Sequence, residues 1–327
     1  MRLAFLGDVM LGRLVNRALQ NRPPTDPWGD VLPVLRGTDG VVCNLECVLS
    51  DRGTPWPGKL FTFRSDARNV RVLEAGGVRA VSLANNHVLD FGEDALADCL
   101  QVLDAAGIAH AGAGRDAEEA QRPARWTCGR TRVGLVAFTD NEPGWEAAPG
   151  RPGVFYAPVD PEDPRFQRVV QLTRQLAAEV DAVVVSAHWG PNWGRRPLPE
   201  HREAARLLAR AGAQVVWGHS AHIVRGVEFV DACAVLYSCG DFVDDYAVDE
   251  VERNDWSFAF LLEWKPGGVE VELVPTTIRH FRAGLAHGWE REAICQRMRE
   301  LCAELGTEVQ PSEQGLRLRP SPELRGS

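Results

Sequence analysis

Several features that would assign this chain of 327 residues to a simple class are missing. No apolar run approaches the ~18 residues of a membrane-spanning helix, so no membrane span is predicted. Basic residues are too few to offset the acidic ones, and the net charge of -9 argues against nucleic acid or an anionic membrane as the main partner. Most of the 36 basic residues are arginines, which leaves room for a local site that binds an anion.

The cysteines lack the Cys-x-x-Cys spacing of a zinc knuckle. There are eight of them, an even number of the kind that disulfide pairing would require. A secretory signal is also missing, because Met1 and Arg2 lead at once into the strand-like residues 3–6. We therefore expect reduced cysteines and a cytoplasmic protein.

The overall composition is ordinary, with 45% hydrophobic and 25% charged residues. Such a chain could form one large domain or two small ones. We expect a single domain over residues 1–305, because the polar clusters described below must converge. The last residues are rich in Pro, Ser and Arg, so we expect a mobile tail over residues 306–327.

Five short polar clusters stand out from this composition, and most of them follow an apolar run of strand type. The clusters are Gly7-Asp8, Asn44-Leu45-Glu46, Asn85-Asn86-His87, His188-Trp189-Gly190 and Gly218-His219-Ser220-Ala221-His222. Loops after buried strands are where α/β proteins collect ligands and catalytic groups. Asp, Glu, Asn and His are also the ligands of divalent transition metals. The sequence therefore predicts a metal centre assembled from distant loops.

The order of the predicted elements indicates the fold class. The predicted strands are residues 3–6, 41–43, 80–84, 108–111, 132–138, 182–185, 214–217, 233–238, 257–264 and 269–274, and the predicted helices are residues 10–20, 94–106, 116–120, 165–179, 200–211 and 289–304. Strands and helices alternate at first, and the last third is rich in strands. This order predicts an α/β fold with two mixed sheets packed together and helices outside, a four-layer αββα sandwich.

The clusters also resemble a known family. Their order is similar to that of the calcineurin-like metallophosphoesterases and, more closely, to that of the CapA-like (poly-γ-glutamate capsule synthesis) branch of the same fold. The residues that carry the closer resemblance are Gly7-Asp8-Val9-Met10, Asn44-Leu45-Glu46, Ala84 to Asp90, His188-Trp189-Gly190, Gly218 to His222 and Tyr237 to Phe242. The resemblance spans residues 1–280 and implies a metallophosphatase-like fold.

The resemblance implies a role for each residue of the clusters. Asp8 and His222 would bind one metal ion, Glu46 would bridge two, and Asn86, His188 and His219 would complete the second site. His87 would be the general acid, with Asp90 as its orienting partner. The cofactor would be one or two divalent ions of Mn, Zn or Fe. Taken singly, Asp8 could instead cap a helix, and Asn86 could be a turn residue.

The chain departs from the better-known enzymes of that fold near the first ion. Met10 stands where those enzymes have His, Glu46 stands where they have Asp, and one extra residue separates His219 from His222. We therefore expect the site of Asp8 and His222 to bind metal more weakly than the other.

Aromatic and basic residues follow the cluster at His188. We expect Trp189 and Arg195, together with Asn44 and Asn85, to bind an anionic substrate, since Arg pairs well with carboxylate and phosphate. The alternative is that the tryptophans pack in the core. The acidic run Asp241, Asp244, Asp245, Asp249 and Glu250 is expected to form a solvated loop, although it could hold a cation.

These residues lead to one expected function and two alternatives. We expect a metal-dependent hydrolase that uses activated water against a phosphoester, or against an amide or ester of a small or polymeric anionic, γ-glutamyl substrate. One alternative is a non-catalytic binding or assembly subunit for poly-γ-glutamate biosynthesis. The other is an enzyme that tailors a sugar or peptide. The sequence does not determine the oligomeric state.

Overall fold

A computed structural model describes residues 1–320. The helices are α1 (Arg13–Leu19), α2 (Leu32–Arg36), α3 (Val70–Gly76), α4 (Glu93–Ala105), α5 (Ala117–Ala120), α6 (Pro164–Ala177), α7 (Pro199–Arg210) and α8 (Gly288–Ala303), with 3₁₀ turns at Asp26–Val31, Ala67–Asn69 and Pro143–Trp145. The strands are β1 (Arg2–Val9), β2 (Gly40–Leu45), β3 (Val48–Leu49), β4 (Arg64–Ser65), β5 (Val78–Ser82), β6 (Ala109–Ala111), β7 (Ala113–Gly114), β8 (Ala124–Cys128), β9 (Thr131–Thr139), β10 (Gly153–Val154), β11 (Ala182–His188), β12 (Val215–His219), β13 (Val227–Val230), β14 (Cys233–Leu236), β15 (Asp241–Val243), β16 (Trp256–Lys265), β17 (Gly268–Arg279), β18 (Arg282–Leu285), β19 (Thr307–Pro311) and β20 (Leu316–Pro320).

Two mixed sheets hold most of these strands. The larger sheet has ten strands in the order β19-β20-β17-β16-β1-β2-β5-β6, with β15 beside β1 and β18 beside β17. Its β1, β2, β5 and β6 run parallel, whereas β16 to β20 pair antiparallel. The smaller sheet has six strands in the order β13-β14-β12-β11-β9-β8, and β14, β12, β11 and β9 are parallel. The parallel strands alternate with helices in the chain, as βαβ units require.

Three apolar cores stack the layers. The middle core joins the facing sides of the two sheets and includes Phe5 and Phe260 from the larger sheet and Leu135 and Trp217 from the smaller one. A second core packs α1 to α4 against the outer side of the larger sheet. A third packs α6 and α7 against the outer side of the smaller sheet. The predicted four-layer αββα sandwich, a metallophosphatase-like fold, is therefore confirmed.

The end of the chain differs from the prediction. Strands β19 and β20 lie within the segment that we expected to be a mobile tail, and they extend the larger sheet beyond β17. Leu316 and Leu318 alternate along β20 and are fully buried in the middle core, so two apolar positions suffice to fix this Arg-rich segment. Residues 321–327 lie outside the described part of the chain.

Two further features bear on the expected environment. No helix within residues 1–320 is long and apolar enough to cross a membrane. All eight cysteines are buried free thiols.

Candidate metal centre

The candidate site lies where parallel strands of both sheets end. In the larger sheet, Asp8 on β1 is in register with Asn44 on β2 and with Asp241 on β15. In the smaller sheet, His188 on β11 is in register with His219 on β12. The two ends meet, since His219 Nδ1 lies 3.4 Å from Asp8 Oδ1. The carboxyl ends of parallel strands are where such sheets place their ligands.

Two glycines let these strands approach their neighbours. A Cβ atom on Gly7 would lie 1.8 Å from the carbonyl oxygen of Gly240, and one on Gly218 would lie 2.3 Å from the carbonyl oxygen of Tyr237. Any side chain at either position would therefore collide with backbone. The glycine before Asp8 and the glycine before His219 are thus needed for close packing.

Trp217 fixes the two sheets to each other beside the site. Its Nε1 donates a hydrogen bond across the middle core to the carbonyl oxygen of Leu6 at 3.0 Å. Its ring meets the His219 ring edge-on, with the centroids 4.2 Å apart. Trp217 thereby sets the orientation of His219, a role that the sequence analysis did not anticipate.

One group of candidate ligands contains Asp8, Glu46 and His188. All three are buried, and one ligand atom from each lies within 4.8 Å of the other two. His188 Nδ1 is 3.8 Å from Glu46 Oε2, and His188 Nε2 is 3.1 Å from Asn86 Oδ1. His219 joins this group through Asp8. The structure therefore brings together the residues that the resemblance assigned to the second ion.

A second group contains Asp8, His222 and Asp241. His222 Nδ1 lies 2.9 Å from Asp241 Oδ1 and 3.6 Å from Asp8 Oδ2. Met10 takes no part, because its Sδ accepts a hydrogen bond from the backbone N–H of Gly12 at 3.0 Å. Asp241 thus adds a third candidate ligand to the site of Asp8 and His222, which was expected to have too few ligands.

The polar atoms at this centre fit a metal ion. Several are buried without a hydrogen-bond partner in residues 1–320, namely Asp8 Oδ2, Glu46 Oε1, Asp241 Oδ2 and both ring nitrogens of His219. Each such atom costs roughly 1–3 kcal/mol when it is left unpaired. Carboxylate, amide and imidazole groups suit divalent ions of the Mn, Zn and Fe type. A cation bound there would satisfy these atoms together.

The ionisation of the centre also favours a cation. Burial raises the pKa of Glu46 well above its ordinary value, and the charge of Asp8 raises it further. Burial also raises the pKa of Asp8, but the close contact and charge of His219, 3.4 Å away, outweigh it and lower that pKa to about 2. Two carboxyl groups with opposite shifts show that the pocket tolerates one negative charge better than two. Added positive charge would allow both to ionise.

His87 is held apart from the two ligand groups. Its Nδ1 donates to the carboxylate of the fully buried Asp90, 2.6 Å from Oδ2. Its ring stacks on Phe63, with the centroids 4.0 Å apart. Its Nε2 lies 3.9 Å from Glu46 Oε1. The imidazole is thus fixed at one nitrogen, and its other nitrogen is directed toward the centre.

Lys59 contacts the same buried carboxylate. Its Nζ lies 2.7 Å from Asp90 Oδ1 and donates to the carbonyl oxygen of Asn86. It also lies 4.3 Å from the centre of the Trp145 ring. No motif in the sequence predicts a role for Lys59, although it is one of only two lysines in the chain. Its rarity was the one available signal.

The environment of His87 decides its protonation. Burial lowers its pKa most and Asp90 opposes that effect, so the pKa falls to about 4. The imidazole is therefore neutral near pH 7 in the free protein. Because Nδ1 carries the proton that Asp90 accepts, Nε2 is then a proton acceptor.

A cleft of about 490 Å³ opens above the centre. Its floor contains Asn86, His87 and His222, and the aromatic residues on its walls include Phe61 and Trp193. None of the residues that line it is Asp or Glu. Its volume is in the range of small-molecule sites.

The backbone of the surrounding loops is strained. Arg13, Trp193, Ser220 and His222 have φ angles of 50°, 67°, 88° and 58°, in the left-handed region that favours glycine. Residues held in this region cluster at binding and catalytic sites, because the surrounding structure must hold them there. Three of the four line the cleft.

Asn44 and Asn85 lie below the ligand groups and not in the cleft. Both are fully buried. Asn44 Nδ2 donates to Asp8 Oδ1 at 2.8 Å and also to Glu46, and Asn85 Nδ2 donates to Asn44 Oδ1 at 3.1 Å. Their predicted contact with substrate stays a prediction, and in the structure the pair orients the carboxylates.

Trp189 and Arg195 also point away from the cleft. Trp189 is fully buried in the core beneath α7, where it stacks on His201 with the centroids 4.7 Å apart. It follows His188, and successive residues of an extended strand face opposite sides. Arg195 is on the surface, 3.0 Å from Glu252. Neither residue lines the cleft, so nothing in the structure supports their predicted contact with substrate, and Trp193 is the tryptophan that lines it.

The acidic run was expected to form a solvated loop, but only its second part is exposed to solvent. Asp241 and Asp244 are buried, whereas Asp249 and Glu250 are exposed. The first part of the run forms β15, which pairs with β1 inside the fold. Asp8 also lacks the predicted alternative role, since α1 has Gly12 at its N-cap position.

Comparisons with known proteins show which proteins this chain is similar to. The model of the family described as bacterial capsule synthesis protein PGA_cap matches residues 2–246. The probable polyglutamine synthesis accessory protein of Mycobacterium tuberculosis is 33% identical over 300 residues, which cover 86% of this chain and 78% of the relative. The PGA biosynthesis protein CapA of Bacillus subtilis is 27% identical over 245 residues, covering 74% of this chain and 63% of the relative.

A solved structure supports the fold alone. A hypothetical protein from Thermus thermophilus aligns with 84% of this chain and 98% of its own, with a TM-score of 0.50 and 18% sequence identity.

Proposed function

The chain belongs to the bacterial capsule synthesis family PGA_cap, and from this premise we propose that it is a metal-dependent hydrolase of an anionic substrate. The observation that carries the proposal is the pair of His87 and Asp90 beside the candidate ligand Asn86. A protein that only binds its ligand has no chemical need for an imidazole fixed at one nitrogen and directed toward the centre with the other.

Each ligand group would hold one divalent ion. Asp8 is common to both groups, and Glu46, Asn86, His188 and His219 complete one of them. His222 and Asp241 complete the other. Ions of Mn, Zn or Fe suit these donors, and such ions make water a nucleophile near neutral pH and stabilise negative charge on the substrate.

His87 would exchange a proton with the substrate. Asp90 holds its Nδ1, and Lys59 holds Asp90 in turn, so Nε2 keeps one direction. An anionic group placed beside Nε2 would raise the low His87 pKa in the complex, so that this nitrogen could then donate a proton to the leaving group. The catalytic pair would thus become an acid when substrate is bound.

The names of the relatives suggest the substrate. They associate M. tuberculosis and B. subtilis proteins with polyglutamine and PGA biosynthesis. We propose an amide or ester of a γ-glutamyl compound as the substrate, with a phosphoester as the second chemical class. We further propose a cytoplasmic location.

A second function is favoured by one observation. The M. tuberculosis relative is named an accessory protein, which fits a non-catalytic subunit that binds or assembles poly-γ-glutamate. In that case the cleft would hold the same ligand and no bond would be cleaved.

Two alanine variants separate these functions. His87→Ala should keep the metal and lower turnover of γ-glutamyl amides or phosphoesters by roughly 10²–10⁴. His188→Ala should lose metal and turnover together, because it removes a ligand. His110→Ala is the matched control, since His110 lies outside the centre beside Asp104.

Metal content by elemental analysis and turnover by a substrate screen give the readouts. Full turnover by His87→Ala would remove the acid role. A wild-type protein that binds metal and polyglutamate but cleaves nothing would support the assembly subunit.

A further inference from the structure

Arg13 is the one cation on the cleft wall whose charged end is left without a hydrogen bond within residues 1–320. The cleft is lined by Arg13 and Lys59. Lys59 is engaged by Asp90 and by the carbonyl oxygen of Asn86. Arg13 Nε lies 3.3 Å from Asp245 Oδ2, but no hydrogen bond joins its guanidinium to any residue of the described chain. Its two terminal amino groups therefore have no hydrogen-bond partner within residues 1–320.

The position of Arg13 is fixed by its neighbours. Asp245 is fully buried at its side chain and also accepts the backbone N–H of Leu14 at 2.9 Å. The Arg13 guanidinium lies 5.8 Å from the ring of Phe61 and 5.6 Å from that of Phe63. Such cation–π contacts hold a planar guanidinium while leaving its edge open. The backbone of Arg13 is strained, with a φ angle of 50°, and the surrounding structure must hold it in this conformation.

Phe63 connects Arg13 to the proposed catalytic group. The Phe63 ring stacks on His87 at 4.0 Å on one side and contacts the Arg13 guanidinium at 5.6 Å. The guanidinium therefore lies no further from the His87 ring than these two distances together. A single compact ligand can reach both.

We propose that Arg13 binds a second anionic group of the substrate, a carboxylate that lies next to the bond to be cleaved. The inference rests on the proposed function and defines its substrate class. Arg and carboxylate match as a two-point hydrogen-bonded pair. The cleft lining itself has no Asp or Glu, and the carboxylate beside Arg13, that of Asp245, lies next to its Nε.

The number of cationic side chains in the cleft that make no hydrogen bond limits the ligand to one such carboxylate. With Lys59 occupied by Asp90, Arg13 is the one cationic side chain of the lining that makes no hydrogen bond within residues 1–320, and the cleft otherwise offers aromatic walls such as Phe61 and Trp193. A row of carboxylates in the interior of a polymer would find no further positive partners there. The cleft thus selects a small γ-glutamyl compound or a chain end.

Calorimetric binding to the Mn²⁺-loaded protein tests this without requiring turnover. The probes are a γ-glutamyl amide with a free α-carboxylate and the same compound with an α-carboxamide. The wild type should bind the carboxylate with a Kd lower by roughly tenfold or more, the value of a charge-assisted hydrogen-bonded pair. Arg13→Met should bring the two Kd values together, and Arg13→Lys should keep part of the preference.

Arg17→Met is the matched control, because it removes the same charge from an exposed position on α1 one turn later. It should retain the wild-type preference. The proposal is overturned if Arg13→Met keeps that preference, if the wild type has none, or if neither probe binds. Binding with the expected preference but without cleavage would contradict the hydrolase alone and leave the role of Arg13 intact.

Discussion

Asp241 offers a quantitative test of the second ligand group. Asp241→Asn keeps the shape of the side chain and an oxygen that can accept from His222, but it removes one negative charge. Asp241 is fully buried, with Oδ1 at 2.9 Å from His222 Nδ1 and Oδ2 without a hydrogen-bond partner in residues 1–320. An unpaired buried carboxylate oxygen beside Asp8 is the atom that a divalent ion would contact. The variant should therefore bind metal more weakly.

The expected size follows from metal-site chemistry. Loss of a carboxylate that binds or orients the ligands of a metal lowers affinity by roughly 10–100-fold. At saturating metal this lowers the stabilisation of the folded state by about 1.4–2.7 kcal/mol. For a chain of this size the Mn²⁺-dependent rise in Tm should shrink by about 2–4 °C.

The assay compares thermal unfolding of chelator-treated protein with and without Mn²⁺, together with the number of ions bound per chain. Asp244→Asn is the matched control, because Asp244 is also buried but belongs to neither ligand group. Equal metal-dependent shifts in both variants, or a wild-type shift in Asp241→Asn, would refute the assignment of Asp241.

Two further predictions concern stability. Burial lowers the pKa of His201 to about 4, below its value of about 6.5 in the unfolded chain. The neutral His201 side chain therefore makes its full contribution to folding stability above pH 6.5, and this contribution is lost as the pH falls toward 4. The wild-type protein should lose unfolding free energy between pH 7 and pH 5, and His201→Phe should reduce that loss by about 1–2 kcal/mol, measured by urea unfolding in the presence of chelator. His287→Gln, at an exposed site, is the control and should leave the loss unchanged. An equal loss of unfolding free energy in His201→Phe and the wild type would contradict this. Gly7→Ala should lower the free energy of unfolding by about 3 kcal/mol or more through overpacking, because its Cβ would lie 1.8 Å from the Gly240 carbonyl oxygen. Gly144→Ala is the control: its Cβ would have no atom within 4 Å, so the urea midpoint should change little.

The sequence predicted best what stands directly after a buried strand. His188 and His219 are the last residues of β11 and β12, and Asp8 is the next-to-last residue of β1; an apolar run marks where each of these strands ends. Because parallel strands in a sheet end together, their convergence followed from order alone. The four-layer fold was predictable for the same reason, since helices and strands alternate in the chain with clear periodicity.

The direction in which a side chain points and the residues that it contacts could not be predicted in the same way. Trp189 was expected to contact substrate because it neighbours His188, but one residue along an extended strand reverses the side to which a side chain points. Asp241 was grouped with the acidic run because β15 is only 3 residues long and has no periodicity to detect. Arg13 gave no signal at all, since its free guanidinium depends on Asp245, more than 200 residues away in sequence.

The two departures near His222 are best understood together. Met10 removes an imidazole from the first group, and the extra residue between His219 and His222 changes how His222 is presented. The left-handed φ angles of Ser220 (88°) and His222 (58°) turn the chain back so that His222 Nδ1 reaches Asp241. Asp241 thus offers a candidate ligand on the side of the centre where Met10 offers none. For this reason we expect the two ligand groups to differ less in affinity than Met10 alone would predict. Titration of chelator-treated protein with Mn²⁺ should fill two sites of similar affinity, and one ion per chain at saturation would contradict a centre in which Asp241 replaces the missing ligand.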